Sequence, residues 1–331
     1  MNVRLANLNE IVNIKKFIDN NWKKKHILSI NSKLLKWQHR NINKQKLSIV
    51  ILENTEKKVV GILGFISIND YSKNNLKKDH VWLGIWCLDK NINKVYGLKL
   101  IYYFLNNSKY KYIGGIGLTK NIIQLYKKLN FKVGEMKHFY ILNNTVKKTI
   151  ISKNLIKNNF LIERNFKIKE NKSISKSIFN HKVISFKNYN YFKYRYEKHP
   201  IYRYRFLNIQ KNNKNVLLII VRKIKIENYS IIRIIDTFGD WSSVSNIGSL
   251  LHKFLIKEKS EYIDFLYKGF NEKYILLNGF KIKKNKKIIP NHFEPYEGIK
   301  NQPLYYCYKS EIDFELHKGD ADSDRPNLIY S

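Results

Sequence analysis

The apolar positions of this chain follow two different spacings. Near the beginning they are three, three and one residues apart, the spacing of one helix face: Ile11, Ile14, Phe17 and Ile18. Two later runs, 47–54 and 58–68, are instead β-rich and are separated by only three polar residues. The pattern predicts a helix followed by a β-hairpin.

The same periods predict an α/β unit in the first part of the chain. Further strands are predicted at residues 3–8, 80–88, 112–119 and 131–142, with helices within 89–105 and 121–130. Strands that alternate with helices are typical of an α/β fold. We therefore predict a first domain at residues 1–150.

A second unit of the same kind is predicted later in the chain. Strands are predicted at 215–227, 230–240 and 261–269, with a helix at 244–258. Near its end Asn271 and the sequence LNGF parallel Asn121 and the sequence LNF, which indicates an internal repeat. We predict a linker region at 151–180, a second domain at 181–316, and an acidic motif and tail at 317–331.

The composition adds a strongly basic charge, with 62 Lys and Arg against 26 Asp and Glu and a formal net charge of +36. Only nine of the basic residues are Arg, and the Lys residues are spread along the whole chain. Lys, Ile and Asn share A/T-rich codons, so coding bias explains much of this composition. Nucleic-acid binders concentrate charge on one face and favour Arg, so we do not expect a nucleic acid as partner.

The cysteines and the length of the apolar runs exclude several classes of protein. Cys87 and Cys307 are the only cysteines, and they lack metal-ligand spacing, so we expect neither a disulfide framework nor a bound metal. No apolar run approaches the roughly 18 residues of a membrane span, and the first residues do not form a leader-like apolar segment. We expect a soluble, cytoplasmic protein, and the sequence leaves its oligomeric state open.

One glycine stands where the helix after the predicted strand 80–88 begins. Backbone N–H groups at a helix N-terminus bind phosphate oxygens, and Gly97, which has no Cβ, would let the backbone approach them closely. The segment therefore suits a phosphate-bearing cofactor. An ordinary helix start after a strand explains a single glycine as well.

A more specific pattern follows the strand at 112–119. Asn121, Tyr126 and Phe131 are five residues apart, and Phe131 ends the sequence LNF. This order resembles the closing segment of the GNAT superfamily of acyl-CoA-dependent N-acyltransferases, N…Y…LGF. It departs from that segment at Asn130, which replaces the glycine.

The segment NKVYGLKL lies where this superfamily carries its Q/R-x-x-G-x-G/A pyrophosphate loop. Lys94 falls at the Gln/Arg position and Gly97 at the first glycine, whereas Lys99 replaces the usual second small residue. The resemblance implies an α/β (α+β) fold of two tandem GNAT-like domains, with mixed central sheets flanked by helices. The second domain is degenerate in this interpretation, because residues 236–248 contain no basic residue and no such loop.

The resemblance also implies acyl-CoA as the donor, with its pantetheine arm between the strands at 80–88 and 112–119. The implied cofactor-binding residues are Leu83, Ile85, Lys94, Val95, Tyr96, Gly97, Leu98, Lys99 and Asn121. Tyr126 is implied as the acid that protonates the departing thiolate, and a phenol of pKa about 10 suits that role. The alternative is that Tyr126 packs on the sheet as an aromatic of the helix face.

Two stretches of the second half are candidates for the acceptor site. His199, Arg203 and Arg205 stand among three aromatic residues, a composition that can stack a base and pair with phosphate oxygens. The alternative is an amphipathic strand. Asp236 follows an apolar strand, where it can meet an acceptor amine or cap the following turn.

The sequence GDADSDRPN near the end of the chain is the remaining candidate. Asp320, Asp322 and Asp324 resemble the start of a calcium loop, but Arg325 occupies the position of the required glycine, so we expect no calcium site. The carboxylates are predicted to hold sugar hydroxyls or the attacking amine, and Arg325 a phosphate. A frayed chain end is the alternative.

These features together resemble bacterial N-acyltransferases that act on nucleotide-linked amino sugars in surface-polysaccharide synthesis. The expected partners are CoA and such a sugar, and the base is left open among His80, Asp236 and the tail carboxylates. Three alternatives remain: an aminoacyl-tRNA-dependent transferase acting on a peptidoglycan precursor, a non-catalytic acyl-CoA-binding protein, and a nucleic-acid-binding protein.

Overall fold

The structure, a computed structural model, describes residues 1–41, 43–68, 80–108, 110–180, 187–284 and 286–326. The predicted start of the second domain at 181 and the last residues of the tail, 327–331, lie outside this part. No helix within the described ranges combines the length and the apolarity needed to cross a membrane.

The first part of the chain forms the predicted elements, most of them with ends within two residues of the prediction, and two short helices between residues 27 and 38 that were not predicted. In chain order they are β1 (Asn2–Asn7), α1 (Ile11–Asn21), α2 (Ile27–Ile30), α3 (Ser32–Gln38), β2 (Lys46–Glu53), β3 (Val59–Ser67), β4 (His80–Leu88), α4 (Tyr96–Asn107), β5 (Tyr112–Leu118), α5 (Ile123–Lys128), β6 (Lys132–Glu135) and β7 (Lys137–Leu142). The apolar stripe of α1 is buried, as its spacing predicts.

The rest of the chain contains the three predicted strands and the predicted helix, together with further elements that were not predicted. Its elements are β8 (Phe166–Asn171), α6 (Tyr189–Phe192), β9 (Arg205–Lys211), β10 (Lys214–Ile226), β11 (Tyr229–Gly239), α7 (Gly248–Lys257), β12 (Tyr262–Lys268), α8 (Glu272–Leu277), β13 (Lys281–Ile282), β14 (Tyr305–Lys309) and β15 (Leu316–His317). β8 lies inside the predicted linker region. It pairs with β9 at the edge of its sheet. Its lysines are exposed there, and these polar residues explain why the sequence pattern did not predict a strand.

The strands form two mixed sheets, so the predicted fold class is confirmed. The first sheet has the order β1-β2-β3-β4-β5-β14-β6, with β4 and β5 parallel. The second has the order β13-β7-β12-β11-β10-β9-β8, with β11 and β12 parallel and β15 added beside β12.

The two sheets exchange strands, which the sequence reading missed. The predicted single strand at 131–142 is instead two strands, since the chain turns at Met136, whose N–H donates to the carbonyl of Leu304 at 2.9 Å. β7 then joins the second sheet, and β14 returns from the far end of the chain to lie between β5 and β6. The limits 1–150 and 181–316 therefore stay a prediction.

One buried cluster connects the two sheets. Trp82 of β4 packs in it with Phe206 of β9, Ile235 of β11, Phe314 and Leu316. The segment after β14 thus fills the space between the two halves. This position brings the acidic motif at 317–326 against the open end of the first sheet.

Candidate functional site

The parallel strands β4 and β5 pair over only part of their length. Their last paired residues are Leu83 and Gly115; beyond them β4 continues beside β3, and β5 continues beside β14. Gly117 is skipped in the register of β5 with β14 and has a φ of +88°. An extra residue of this kind bends a strand, and glycine adopts positive φ without strain. The bulge therefore helps the two strands to diverge.

A cavity of about 750 Å³ opens where the strands diverge, and we call it the central cavity. Its lining consists of Trp22, residues 83–86 of β4, residues 115–119, 122 and 126, and residues 291–292, 302–304, 318, 322–323 and 325. Small-molecule sites commonly have volumes of roughly 300–1,000 Å³. The apolar half of the lining comes from the first sheet, and the polar half comes from the end of the chain.

Tyr126 lies in this lining on α5. Its ring packs edge-on against Trp86, with 5.8 Å between ring centroids, and against Phe131 at 5.1 Å. Burial, together with the nearby thiol of Cys307, raises the pKa of Tyr126 well above its ordinary value. The phenol is therefore protonated at neutral pH and available as a hydrogen-bond donor. Tyr126 thus packs as an aromatic of the helix face and also lines the central cavity, while its predicted role as an acid stays a prediction.

The two predicted strand contacts also lie in the cavity, since Leu83 and Ile85 both line it. Gly97 does not line the cavity; it lies at the beginning of α4, where a Cβ would stand 3.2 Å from the side chain of Leu88. Packing against the end of β4 is thus a structural reason for this glycine. It is independent of any ligand.

The rest of the predicted phosphate loop is exposed or half-buried at the start of α4. The amides of Tyr96, Gly97 and Leu98 donate to carbonyls three residues earlier, each at 3.0 Å. The amide of Val95 donates to the side chain of Asn93 at 3.0 Å. The exposed side chains of the two lysines are the groups left for an anion: Lys94 and Lys99. Asn121 is exposed in the short helical turn before α5.

A second opening of about 480 Å³ adjoins the central cavity, and we call it the Trp22 groove. Its lining is Asp19, Asn20, Trp22, Lys23, Lys24 and Lys90. Trp22 borders both spaces and is 43% exposed. Three lysines around an exposed indole suit an anion that carries a ring, because the ring can stack while the phosphates pair.

Two of the predicted catalytic residues lie in the core and do not line the central cavity. His80 packs between Trp82, at 4.2 Å between ring centroids, and Phe314, at 5.0 Å. Burial lowers the pKa of His80 to about 3. Asp236 is fully buried and accepts hydrogen bonds from Lys187 at 2.8 Å and from Tyr196 at 2.5 Å.

The same lysine joins Asp236 to the acidic motif. Lys187 donates to Asp320 at 2.8 Å, and His317 lies 3.3 Å from Asp236. Burial acts to raise the pKa of Asp320, but the ammonium of Lys187 outweighs it and holds that pKa at about 2. Asp236 and Asp320 thus form a buried ion cluster that fastens the motif to β11.

The remaining aspartates of the motif face in different directions. Asp324 is buried and accepts from Arg222 and from the hydroxyl of Tyr204, both at 2.8 Å. Asp322 lines the central cavity and is ion-paired with Arg325, which lines it too. The described part of the motif is therefore a packed loop, and the frayed-end alternative does not hold for residues 317–326. In the described part of the chain, no group of three or more His, Cys, Asp or Glu side chains could hold a metal.

The predicted base-stacking stretch lies outside the central cavity. His199 is buried, and its Nδ1 accepts from the amide of Tyr202 at 2.9 Å. Arg205 is ion-paired with Glu170 and with Glu258. Arg203 is exposed between buried neighbours, so the stretch shows the alternation of the amphipathic strand.

Sequence reasoning missed several residues that line the central cavity: Trp22, Asn291, His292, Gln302, Lys318 and Ser323. Lys318 is 7% exposed, and its Nζ donates to the hydroxyl of Ser323 at 3.2 Å. Burial, with help from the charge of Arg233, lowers the pKa of Lys318 to about 7. Its position inside the acidic motif was the available signal, but it is one of many lysines in the chain.

A comparison with protein-family models finds no match, and a comparison with curated proteins finds none. Solved structures do match. A GCN5-related N-acetyltransferase from Anabaena variabilis ATCC 29413 is 11% identical, with a TM-score of 0.54, over 92% of this chain and 72% of that one. The chain has the fold of the GCN5-related N-acetyltransferases.

Two further structures of similar fold cover almost the same part of this chain. A conserved protein of unknown function from Enterococcus faecalis V583 is 9% identical, with a TM-score of 0.54, over 93% of this chain and 72% of that one. A glucosamine N-acetyltransferase region of a fungal multi-domain β-N-acetylglucosaminidase is 10% identical, with a TM-score of 0.52, over 93% of this chain and 38% of that one. Both halves of the chain thus belong to one known arrangement.

Proposed function

We propose that this chain transfers an acyl group from a CoA thioester to the amine of a nucleotide-linked amino sugar, in surface-polysaccharide synthesis. The observation that carries the proposal is the end of β4–β5 pairing at Leu83 and Gly115, where the central cavity opens on an N-acetyltransferase fold. A pantetheine arm has amide groups that can pair with an open strand edge, as an added strand does. The edge of β4 beyond Leu83 offers such a surface.

The donor thioester would lie between β4 and Tyr126. Backbone amides of residues 83–86 would polarise the thioester carbonyl, in the manner of an oxyanion site. The protonated hydroxyl of Tyr126 would donate a hydrogen bond to the sulfur as it departs. Because its pKa is raised, complete proton transfer from Tyr126 is less favourable than from an ordinary tyrosine. Its role is therefore stabilisation of the developing thiolate.

The phosphates of the donor would be held at the beginning of α4. The amides there already bond within the first turn, so contact with phosphate falls mainly to the side chains of Lys94 and Lys99. Lys99 occupies the position usually taken by a small residue, which suits contact with phosphate through a side chain and not through backbone amides. Asn121 would bind the donor from the turn before α5.

The polar half of the cavity would hold the sugar. Amide, carboxylate and hydroxyl groups suit a ligand rich in hydroxyl groups, and they are supplied there by Asn291, Gln302, Asp322 and Ser323. Arg325 adds a cation beside Asp322. The Trp22 groove would take the nucleotide, with the base on the indole and the diphosphate on its lysines.

Calorimetric titration with acetyl-CoA tests the donor half of the proposal. We expect binding by acetyl-CoA that is tighter than by adenosine 3′,5′-bisphosphate, because only the former places an arm between β4 and β5. Release of free CoA thiol is then measured with D-glucosamine and with UDP- and dTDP-linked amino sugars, and transfer of a labelled aminoacyl group from aminoacyl-tRNA to a peptidoglycan precursor is measured separately. A protein that binds no CoA species would contradict the proposal. If the only transfer observed were from aminoacyl-tRNA, the proposed donor and acceptor would both be wrong and the tRNA-dependent alternative would take their place.

A further inference from the structure

Lys318 stands in a wall between two spaces. One is the central cavity; the other is a narrow cleft, the side cleft, lined by Tyr202, Arg222, Arg233, Glu294, Asp324 and the shared wall residues. The backbone next to Lys318 is held in place by hydrogen bonds of the following residue, Gly319. The N–H of Gly319 donates to the carbonyl of Ile235 at 2.7 Å, and Arg195 donates to the carbonyl of Gly319 at 3.2 Å. The lysine is thus held by the core, on a loop that does not fray.

The charged groups that act most strongly on this lysine lie on several elements, and Glu294, Asp322 and Arg325 line the same two spaces. The strongest are Arg222 on β10, Arg233 on β11, Asp264 on β12 and Asp324 in the motif, and His292 in the loop before β14 also interacts with the lysine. Each carboxylate already has a closer cation, since Asp264 pairs with Arg233 at 2.5 Å and Asp324 pairs with Arg222 at 2.8 Å. Within the described residues, no carboxylate oxygen lies within 4.0 Å of the Lys318 Nζ.

This arrangement favours the uncharged amine. A buried ammonium without its own counter-ion loses its proton readily, and two guanidinium groups nearby add to the effect. Burial and Arg233 accordingly lower the pKa of Lys318 to about 7. Above that pH, the amine has a free lone pair and can accept a proton.

We propose that Lys318 is the catalytic base that takes the proton from the acceptor amine; this inference rests on the proposed function. The amine nitrogen forms a bond to the thioester carbonyl carbon, the carbon–sulfur bond breaks, and CoA leaves as a thiolate. Lys318 becomes an ammonium with the proton that the amine loses, and it returns that proton to solvent or to the thiolate. The bond to the Ser323 hydroxyl orients its Nζ.

The other predicted bases are less well placed for this step. His80 and Asp236 do not line the central cavity, and Asp236 is committed to Lys187. Asp322 lines the cavity but is paired with Arg325. His292 lines it as well, and burial lowers its pKa. It is the alternative that the experiment must separate from Lys318.

The test is the pH dependence of kcat with acetyl-CoA and the best acceptor of the panel, between pH 5.5 and 9. We expect the wild-type kcat to rise with pH through about 7. Lys318→Arg keeps a long cation but stays protonated, so it should lose roughly 10²- to 10⁴-fold in kcat, as Lys318→Met should. Lys283→Arg, a change at a half-buried lysine that does not line the cavity, is the matched control and should keep the wild-type profile.

Several outcomes would overturn the inference. A Lys318→Arg variant with wild-type kcat would show that only the cation is needed. If kcat stopped rising with pH through about 7 in His292→Asn but not in Lys318→Met, the base would be His292. Competitive acetylation with acetic anhydride at graded pH, read by peptide mass spectrometry, measures the Lys318 titration without turnover. A midpoint above 9 would overturn the inference alone, whereas absence of acetyl-CoA binding to the wild type would overturn the proposed function with it.

Discussion

Leu83 and Gly115 face each other as the last pair of β4 and β5, and the next residues of the two strands separate. Two parallel strands in the middle of a sheet normally pair throughout, since unpaired backbone groups are costly when buried. Here the gap coincides with the central cavity, and the bulge at Gly117 lies on its lining. The geometry of β5 is therefore tied to the space for a ligand.

Substitution of Gly117 tests this connection. Gly117→Ala adds a methyl group into open space, but it places a Cβ at a φ of +88°, which should cost about 1–2 kcal/mol of unfolding free energy. We also expect weaker acetyl-CoA binding, because relief of the strain would straighten β5. Urea unfolding and calorimetry measure the two effects.

Gly298 provides a matched control for that substitution. It has a φ of +90°, and an added Cβ there also meets open space, but it does not line the central cavity. Gly298→Ala should cost a similar free energy and leave the Kd for acetyl-CoA unchanged. Equal loss of acetyl-CoA affinity in both variants would show that the bulge at Gly117 has no specific role in ligand binding.

Tyr126→Phe tests the proposed stabilisation of the leaving thiolate. The variant keeps the ring that packs on Trp86 and Phe131, so the Kd for acetyl-CoA and the unfolding free energy should change little. Removal of the donor should lower kcat by roughly ten- to a hundredfold, the effect of losing one hydrogen bond to a charged group. Tyr102→Phe, at an exposed tyrosine of α4, is the control. Full turnover in Tyr126→Phe would leave the ring as a packing residue.

The first sheet was largely predictable from the sequence because its signals are local. Residues 80–88 and 112–119 are short, strongly β-rich runs, and the predicted ends agree with β4 and β5 to within one residue. The pattern around Tyr126 singled out a residue that lines the central cavity. No local pattern shows where β14 pairs, since its partners Gly115 and Val133 lie more than 170 residues earlier.

The acceptor side was predictable only in part. The acidic motif was identified, but alternate residues in an irregular loop do not follow a period, so the sequence did not show that Asp320 and Asp324 turn inward while Asp322 faces the cavity. Trp22 and Lys318 are ordinary in sequence. They become candidates only when the fold brings α1 and the end of the chain to the same cavity.

Trp22→Ala tests the Trp22 groove. Loss of the indole should raise the KM for a nucleotide-linked amino sugar by roughly ten- to a hundredfold, since base stacking contributes about 1–3 kcal/mol. The KM for the same free amino sugar should change little, because a free sugar does not reach the groove. Trp22→Phe keeps a stacking surface and should show an intermediate KM. Equal increases for both acceptors would contradict the assignment.

The acidic motif provides a pair of matched substitutions, Asp320→Asn and Asp322→Asn. Asp320 is fully buried against Lys187, so Asp320→Asn leaves a buried cation with less compensation and should cost about 3–5 kcal/mol of unfolding free energy. Asp322 faces the cavity, so Asp322→Asn should keep most of the stability and raise the KM for the acceptor. A large loss of stability in Asp322→Asn, with a raised acceptor KM in Asp320→Asn, would contradict this assignment.

The cost of Asp320→Asn should also depend on pH. The folded pKa of Asp320, about 2, is below the value of about 3.9 for an unfolded aspartate, so its carboxylate stabilises the folded chain fully only above the unfolded pKa. This stabilisation is lost as the pH falls from about 4 towards 2. Urea unfolding at pH 7, 5, 4 and 3 should therefore show the wild type and Asp320→Asn converging at the acid end. A difference that stays constant down to pH 3 would mean that Asp320 is not held ionised by Lys187.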